Sequence, residues 1–114
     1  MSQGSIPIFT AAATALAVSN TASASGTING PSGMASDAYY VMNTSSQPIW
    51  VVITNTPNPT AVFPTPGSPQ VGFAVPPNLN IFVRGVPCGN GASAYVAALG
   101  ATGSGNVYIT PSQT

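Results

Sequence analysis

From Ala35 onward the apolar positions recur in short runs of four to six residues separated by clusters of Asn, Ser, Gly and Pro. A period of two is visible in several runs. Val71, Phe73 and Val75 alternate with Gly72 and Ala74, and Leu79, Ile81 and Val83 face away from Phe82 and Arg84. That alternation is the mark of a half-buried strand. Strands are therefore expected at Ala38–Met42, Ile49–Thr54, Val71–Val75, Leu79–Arg84, Ala92–Leu99 and Asn106–Thr110.

The punctuation between these runs is equally regular. Asn43-Thr44-Ser45-Ser46 reads as a turn, and Pro48 stands at a strand entrance, where its missing N–H breaks no ladder. Two hairpins are expected on this basis. One joins Ala38–Met42 to Ile49–Thr54, and the other joins Ala92–Leu99 to Asn106–Thr110 across Gly100–Gly105. Pro76-Pro77-Asn78 makes a corner, and Cys88–Gly91 a glycine-rich turn.

Asn55 to Pro69 carries five prolines at 57, 59, 64, 66 and 69, which forbids a helix and discourages a central strand. This is a stiff surface loop with Val62-Phe63 as an anchor, serving as a connector or as an arm that packs on a neighbour.

The first thirty residues are Ala, Ser and Thr with scattered aliphatics. Phe9–Val18 superficially resembles the apolar stretch of a secretory signal, and Ala22-Ser23-Ala24 a cleavage site, but no Lys or Arg precedes it and a leader is not expected. Alanine permits a helix over Ala11–Val18, whereas Thr10, Thr14 and Val18 favour extended chain, the style that Thr21–Ile28 continues. The expected organisation is an extended arm or first strands over residues 1–34, then a β-sandwich domain over 35–114 with a Pro-rich loop at 55–69. The fold class is all-β: a small antiparallel β-sandwich or jelly-roll-like barrel with an extended N-terminal arm. Removing Met1–Val18 is expected to leave that domain intact.

Composition narrows the chemistry sharply. In 114 residues there is one acid, Asp37, one base, Arg84, and no Lys, Glu or His. Two-carboxylate hydrolysis, histidine-based triads and Ser–Lys dyads all lack a member. Cys88 and Asp37 alone cannot assemble a zinc site. No catalytic residue, metal or cofactor is expected, and a site shared between subunits is the one remaining route to an enzyme. A single Arg cannot neutralise a phosphate backbone or an anionic membrane, so neither nucleic acid nor membrane is an expected partner.

Near-zero net charge also removes the repulsion that helps keep monomers apart. Association with other protein surfaces is the expected mode of action. It would rest on aromatics, backbone hydrogen bonds and hydroxyl side chains. The candidate interface residues are Phe9, Tyr39, Trp50, Phe63, Tyr95 and Tyr108, with Asp37 and Arg84 as a pair that would fix register. Several of the aromatics are equally suited to a sandwich core. Cys88 is read as a semi-buried or surface thiol, with an intermolecular disulfide as the alternative. Asn43-Thr44-Ser45 matches a glycosylation triplet of a kind common in Ser/Thr-rich chains.

One stretch carries a resemblance. A strand leads into Asn-Thr-Ser-Ser-x-Pro-Ile-Trp-Val (Asn43–Val51). A proline-rich middle and a Val-Pro-Pro-Asn corner (Val75–Asn78) follow, then Ala-Tyr-Val-Ala-Ala-Leu (Ala94–Leu99), a Gly-Ser-Gly turn and Val-Tyr-Ile-Thr-Pro (Val107–Pro111). The pattern resembles the small β-rich virion proteins of tailed bacteriophages, some of which decorate or cement the head. It spans about two thirds of the chain and consists of turn and strand motifs, so no site residue transfers.

The resemblance implies a virion structural protein on the capsid surface that bridges capsomers. Its partners would be the major capsid protein and copies of itself, as a trimer or other symmetric oligomer. A head–tail connector or a tail or fibre component is an alternative position. A β module that binds glycans or a host surface, with stacking on Trp50, is an alternative function.

Overall fold

The computed structural model describes residues 11–31 and 35–112. These form eight strands: β1 (Thr14–Val18), β2 (Ala24–Ile28), β3 (Ser36–Asn43), β4 (Ile49–Thr54), β5 (Phe73–Val75), β6 (Asn80–Cys88), β7 (Ala94–Gly100) and β8 (Gly105–Ser112). They make two four-stranded antiparallel sheets, one ordered β1-β8-β3-β6 and the other β2-β7-β4-β5. Eight strands divided between two sheets in this order are the jelly-roll form of the β-sandwich. No helix among the described residues is long and apolar enough to cross a membrane.

Alternation along each strand places one set of side chains between the sheets. Leu16, Val18, Tyr39, Val41, Val107 and Ile109 come from the first sheet, and Ile28, Ile49, Val51, Val75, Val96 and Ala98 from the second. Branched aliphatics dominate because they fit a pleated surface and lose little freedom in it. The strand at Ile49–Thr54 has the bounds expected from sequence, while β6 and β8 run further than expected. β6 carries Pro87 near its end, which is tolerated because β6 closes the sheet order as an edge strand.

The two expected hairpins do not exist. β3 and β4 lie in different sheets, as do β7 and β8, and β4–β5 is the sole consecutive pair that shares a ladder. The physical reason lies in the turns. Asn43, Ser45 and Gln47 are buried, at 1%, 8% and 3% exposure. Asn43 Oδ1 accepts from the Ser45 N–H (2.9 Å) and from Ser45 Oγ (2.7 Å). Its Nδ2 lies 2.8 Å from the Gln47 carbonyl and 3.1 Å from those of Val75 and Pro76, three acceptors shared by two hydrogens.

Gln47 Oε1 accepts from the Thr102 and Gly103 N–H groups (2.6 and 2.8 Å), and its Nε2 donates to the Gly103 carbonyl (2.7 Å). The β3–β4 and β7–β8 connections are thus clamped to one another as parallel arches across the end of the sandwich. A flat two-strand hairpin would put these amides in water and leave the arch backbone unpaired. The clamp also explains two glycines: a Cβ at Gly100 would sit 2.7 Å from Gln47 Nε2, and one at Gly105 would sit 2.4 Å from Ser45 Cβ.

Of the two expectations for the N-terminal region, an extended arm or first strands, the described residues follow the second. Thr14–Val18 is β1, paired with β8 from Thr14↔Ile109 to Val18↔Gly105, and Leu16 and Val18 are core residues. Residues 1–10 lie outside the described residues.

Three outcomes are expected. Removal of residues 1–10 should preserve a cooperative thermal transition and a β-type circular dichroism spectrum. Removal through Val18 should abolish both, because it deletes an edge strand and two core side chains; this corrects the sequence-based expectation that the domain survives that cut. Gln47→Ala leaves two arch N–H groups without an acceptor and should cost about 2–3 kcal/mol in urea unfolding.

Candidate interaction surface

The outer faces of the two sheets have different fates. On the β2-β7-β4-β5 sheet, Trp50, Val52, Tyr95, Ala97 and Leu99 point away from the core, and the connection 55–72 folds back over them. Ala61 is buried against Val52 and Ala97, and its N–H donates to Ser23 Oγ (2.9 Å). Phe63 lies on Trp50 with ring centroids 6.0 Å apart at 47°, and the indole Nε1–H donates to the Val71 carbonyl (2.8 Å). The anchor expected at Val62-Phe63 is therefore Ala61 and Phe63, with Val62 pointing outward between them. The indole has internal partners for both its ring and its N–H. Beyond Phe63 the loop is exposed from Pro64 to Gln70, closed by a tight turn between Thr65 and Ser68.

Nothing in the chain's described residues covers the opposite face. There β1 presents Ala15 and Ala17, β8 presents Tyr108 and Thr110, β3 presents Tyr40 and Met42, and β6 presents Phe82 and Arg84. Register makes them neighbours: Tyr40 stands between Phe82 and Thr110, and Met42 between Asn80 and Tyr108. The Tyr40 and Phe82 rings are 4.8 Å apart at 45°, and the Asn80 amide donates to the Tyr40 hydroxyl. Phe82 is 51% exposed, a large aromatic held upright by its cross-strand neighbour.

At one end of this face the register shift between Ser36 and Ala38 accompanies an exposed Asp37, whose Oδ1 accepts from Arg84 Nη1 at 2.8 Å. Both side chains are more than half exposed (Arg84 69%, Asp37 53%), so the pair contributes little to stability in the free chain, under about 1 kcal/mol.

The residues expected at an interface are thus divided. Tyr108, Asp37 and Arg84 share the open face. Trp50, Phe63 and Tyr95 belong to the opposite, loop-covered side. Tyr39 is wholly buried and donates to the Val86 carbonyl, so it is a core residue. Phe9 lies outside the described residues. The open face also carries Tyr40 and Phe82, which were not among the residues expected at an interface. Their signal was the phase of the alternation, since Tyr40 has opposite parity to buried Tyr39 and Val41, and Phe82 shares the parity of Arg84.

Two buried groups titrate abnormally for one reason. Burial pushes the Tyr39 hydroxyl far above its ordinary value, with the neighbouring Cys88 adding to the effect. Burial likewise pushes the Cys88 thiol up, partly offset by the Tyr39 hydrogen bond. Cys88 is fully buried and free, so a disulfide to another chain would require the sandwich to open. Asn43 is equally inaccessible, with its amide committed to the arch, which removes the Asn43-Thr44-Ser45 triplet as a modification site.

Comparison with protein-family models, with curated proteins and with solved structures finds no match to this chain.

The titration shifts give a directional outcome. An acid whose folded value is raised stays protonated in the native state while its unfolded counterpart ionises, so stability is complete at neutral pH. It should fall as pH climbs past about 9, where unfolded Cys and then Tyr lose their protons. Urea unfolding at pH 7 and pH 10 reads this loss. Native Cys88 should react with an aromatic disulfide reagent only at the rate of unfolding.

Proposed function

We propose that this chain is a structural subunit of a bacteriophage virion, of the decoration or cement kind, which seats the open face of its β1-β8-β3-β6 sheet on the capsid and stabilises the head by bridging capsomers. The observation that carries the reading is the asymmetry of the two outer faces. One is sealed by the chain's own proline-rich connection; over the other, which bears Met42 and Tyr108 beside the Tyr40–Phe82 ring pair, no connection among the described residues lies. A contiguous apolar and aromatic patch of this sort is the usual mark of a protein-binding surface. The resemblance of Tyr40–Pro111 to small phage virion proteins and the jelly-roll topology both support it. That topology also occurs in lectin domains and cupins, so it supports without identifying.

Size sets the mode of attachment. Four strands about 4.8 Å apart and eight residues long give a footprint of roughly 400–500 Å². A stable interface buries about 800 Å² on each partner. One face therefore holds a capsid site weakly, and firm attachment needs several copies engaging together. The absence of charge beyond Asp37 and Arg84 makes the contact insensitive to salt.

The deciding measurement is the copy number of this chain in purified particles, by quantitative mass spectrometry against the major capsid protein. Copies in the hundreds support a decoration or cement role. About a dozen or fewer would move it to a head–tail or tail position, and absence would overturn the virion reading. Phe82→Asp should abolish attachment to heads while leaving the melting temperature within a few degrees of the parent.

A further inference from the structure

The sandwich closes unevenly along its sides. Where β5 and β6 face one another a groove of about 560 Å³ opens, lined by Ile53 and Thr54 of β4, Phe73 of β5, Val83 and Arg84 of β6, and the start and end of the proline-rich connection. Its origin is the shortness of β5. β5 pairs with Ile49, Trp50 and Val51, whereas β7 pairs with β4 all the way to Thr54. The Pro48 carbonyl accepts from the Ala101 N–H on the β7 side. By alternation the main chain of Ile53 points the other way, into the groove.

The floor is apolar. Ile53, Phe73 and Val83 pack against the core yet stay half-buried, and Val71 at the rim is 74% exposed. The one charge in the lining, Arg84, is already neutralised by Asp37. A main-chain edge above an uncharged apolar floor is suited to an added extended strand without charge.

The chain itself supplies such a strand. Ser5-Ile6-Pro7-Ile8-Phe9-Thr10 precedes the described residues and contains no charge. In extended form Ile6 and Ile8 share a face, and Pro7 directs its missing N–H to the side opposite their main-chain groups. The segment can therefore offer Ile6 and Ile8 to the floor and a main-chain pairing to Ile53, with proline facing outward.

Geometry decides which copy receives it. Thr14 begins β1 at one edge of its sheet, and β6 is the opposite edge, three strand intervals away. That distance is about 14 Å, and a strand added beside β4 lies in the other sheet, about 10 Å across, so the straight-line separation is about 17 Å. Four Cα steps from Thr10 to Thr14 reach about 15 Å at full stretch, and the path must go around the sheet. The segment cannot seat in its own groove.

We infer that the groove beside β4, β5 and β6 is the acceptor for the Ser5–Thr10 segment of a second copy, so that copies are linked by strand exchange. This assembly does not depend on the virion reading, since it would form from the purified chain alone. It also provides the several linked faces that firm attachment needs.

Sedimentation of the full chain, of the chain lacking residues 1–10, and of full-length Ile8→Asp tests it. The full chain should associate with rising concentration, and the other two should remain monomeric with unchanged circular dichroism. A synthetic peptide of residues 1–12 should bind the truncated chain, and its Ile8→Asp version should bind roughly tenfold or more weakly. Self-association that persists without residues 1–10 would overturn the proposal, as would peptide binding indifferent to Ile8→Asp. A full chain that stays monomeric at every concentration would overturn it as well.

Discussion

Asn43, Ser45 and Gln47 place amide and hydroxyl groups inside an end of the sandwich that would otherwise be closed by apolar side chains, and the topology depends on their being satisfied. A buried amide left without partners costs about 1–3 kcal/mol for each unmade bond. Here Gln47 is met by the backbone of the β7–β8 arch, and Asn43 by that of its own arch and of the Val75–Pro76 corner. Thr102 and Gly103 come within reach of Gln47 where β3–β4 and β7–β8 both step from one sheet to the other. The clamp thereby selects two packed sheets over a flat meander, and it requires glycine at 100 and 105, where the two arches touch.

Once the sheets are stacked, the fate of each outer face follows from what the connections can cover. The connection 55–72 is the long one, and its prolines keep it extended enough to lie across a sheet instead of collapsing beside it. Ala61 and Phe63 attach it to Val52, Ala97 and Trp50, and this side becomes a third, thin layer. No connection among the described residues lies across the opposite sheet, whose aromatic row stands beside the Asp37–Arg84 ion pair. The same economy of chain leaves β5 at three residues and the flank beside it unfilled.

A chain with two charged side chains must obtain specificity from shape and from main-chain hydrogen bonds. The interior shows the pattern: side-chain donors and acceptors are spent on arches, as in the Asn43 and Gln47 network, and on caps such as the Tyr39 hydroxyl on the Val86 carbonyl. The open face and the open groove offer the same two currencies outward, aromatic surface in one case and a strand edge in the other.

Much of this was determined by the sequence alone. Alternation and turn residues are local, and they placed six of the eight strands, leaving the stretch that forms β1 and β2 as extended chain or helix. They also set the parity that puts Phe82 and Arg84 on one side of β6, and they marked the proline-rich connection as extended. Charge counting limited the chemistry available before any contact was known. Which strands pair was not determined locally. Asn43-Thr44-Ser45-Ser46 and Gly100–Gly105 look like hairpin turns, and the crossing shows only in the bonding of Gln47 to a second arch, some fifty-five residues away in sequence. For the same reason the aromatics could be recognised but not sorted. Tyr39 is core, Trp50 is covered by Phe63 and Tyr108 is left on the open face because of what lies across from each, and that is a property of packing between distant segments.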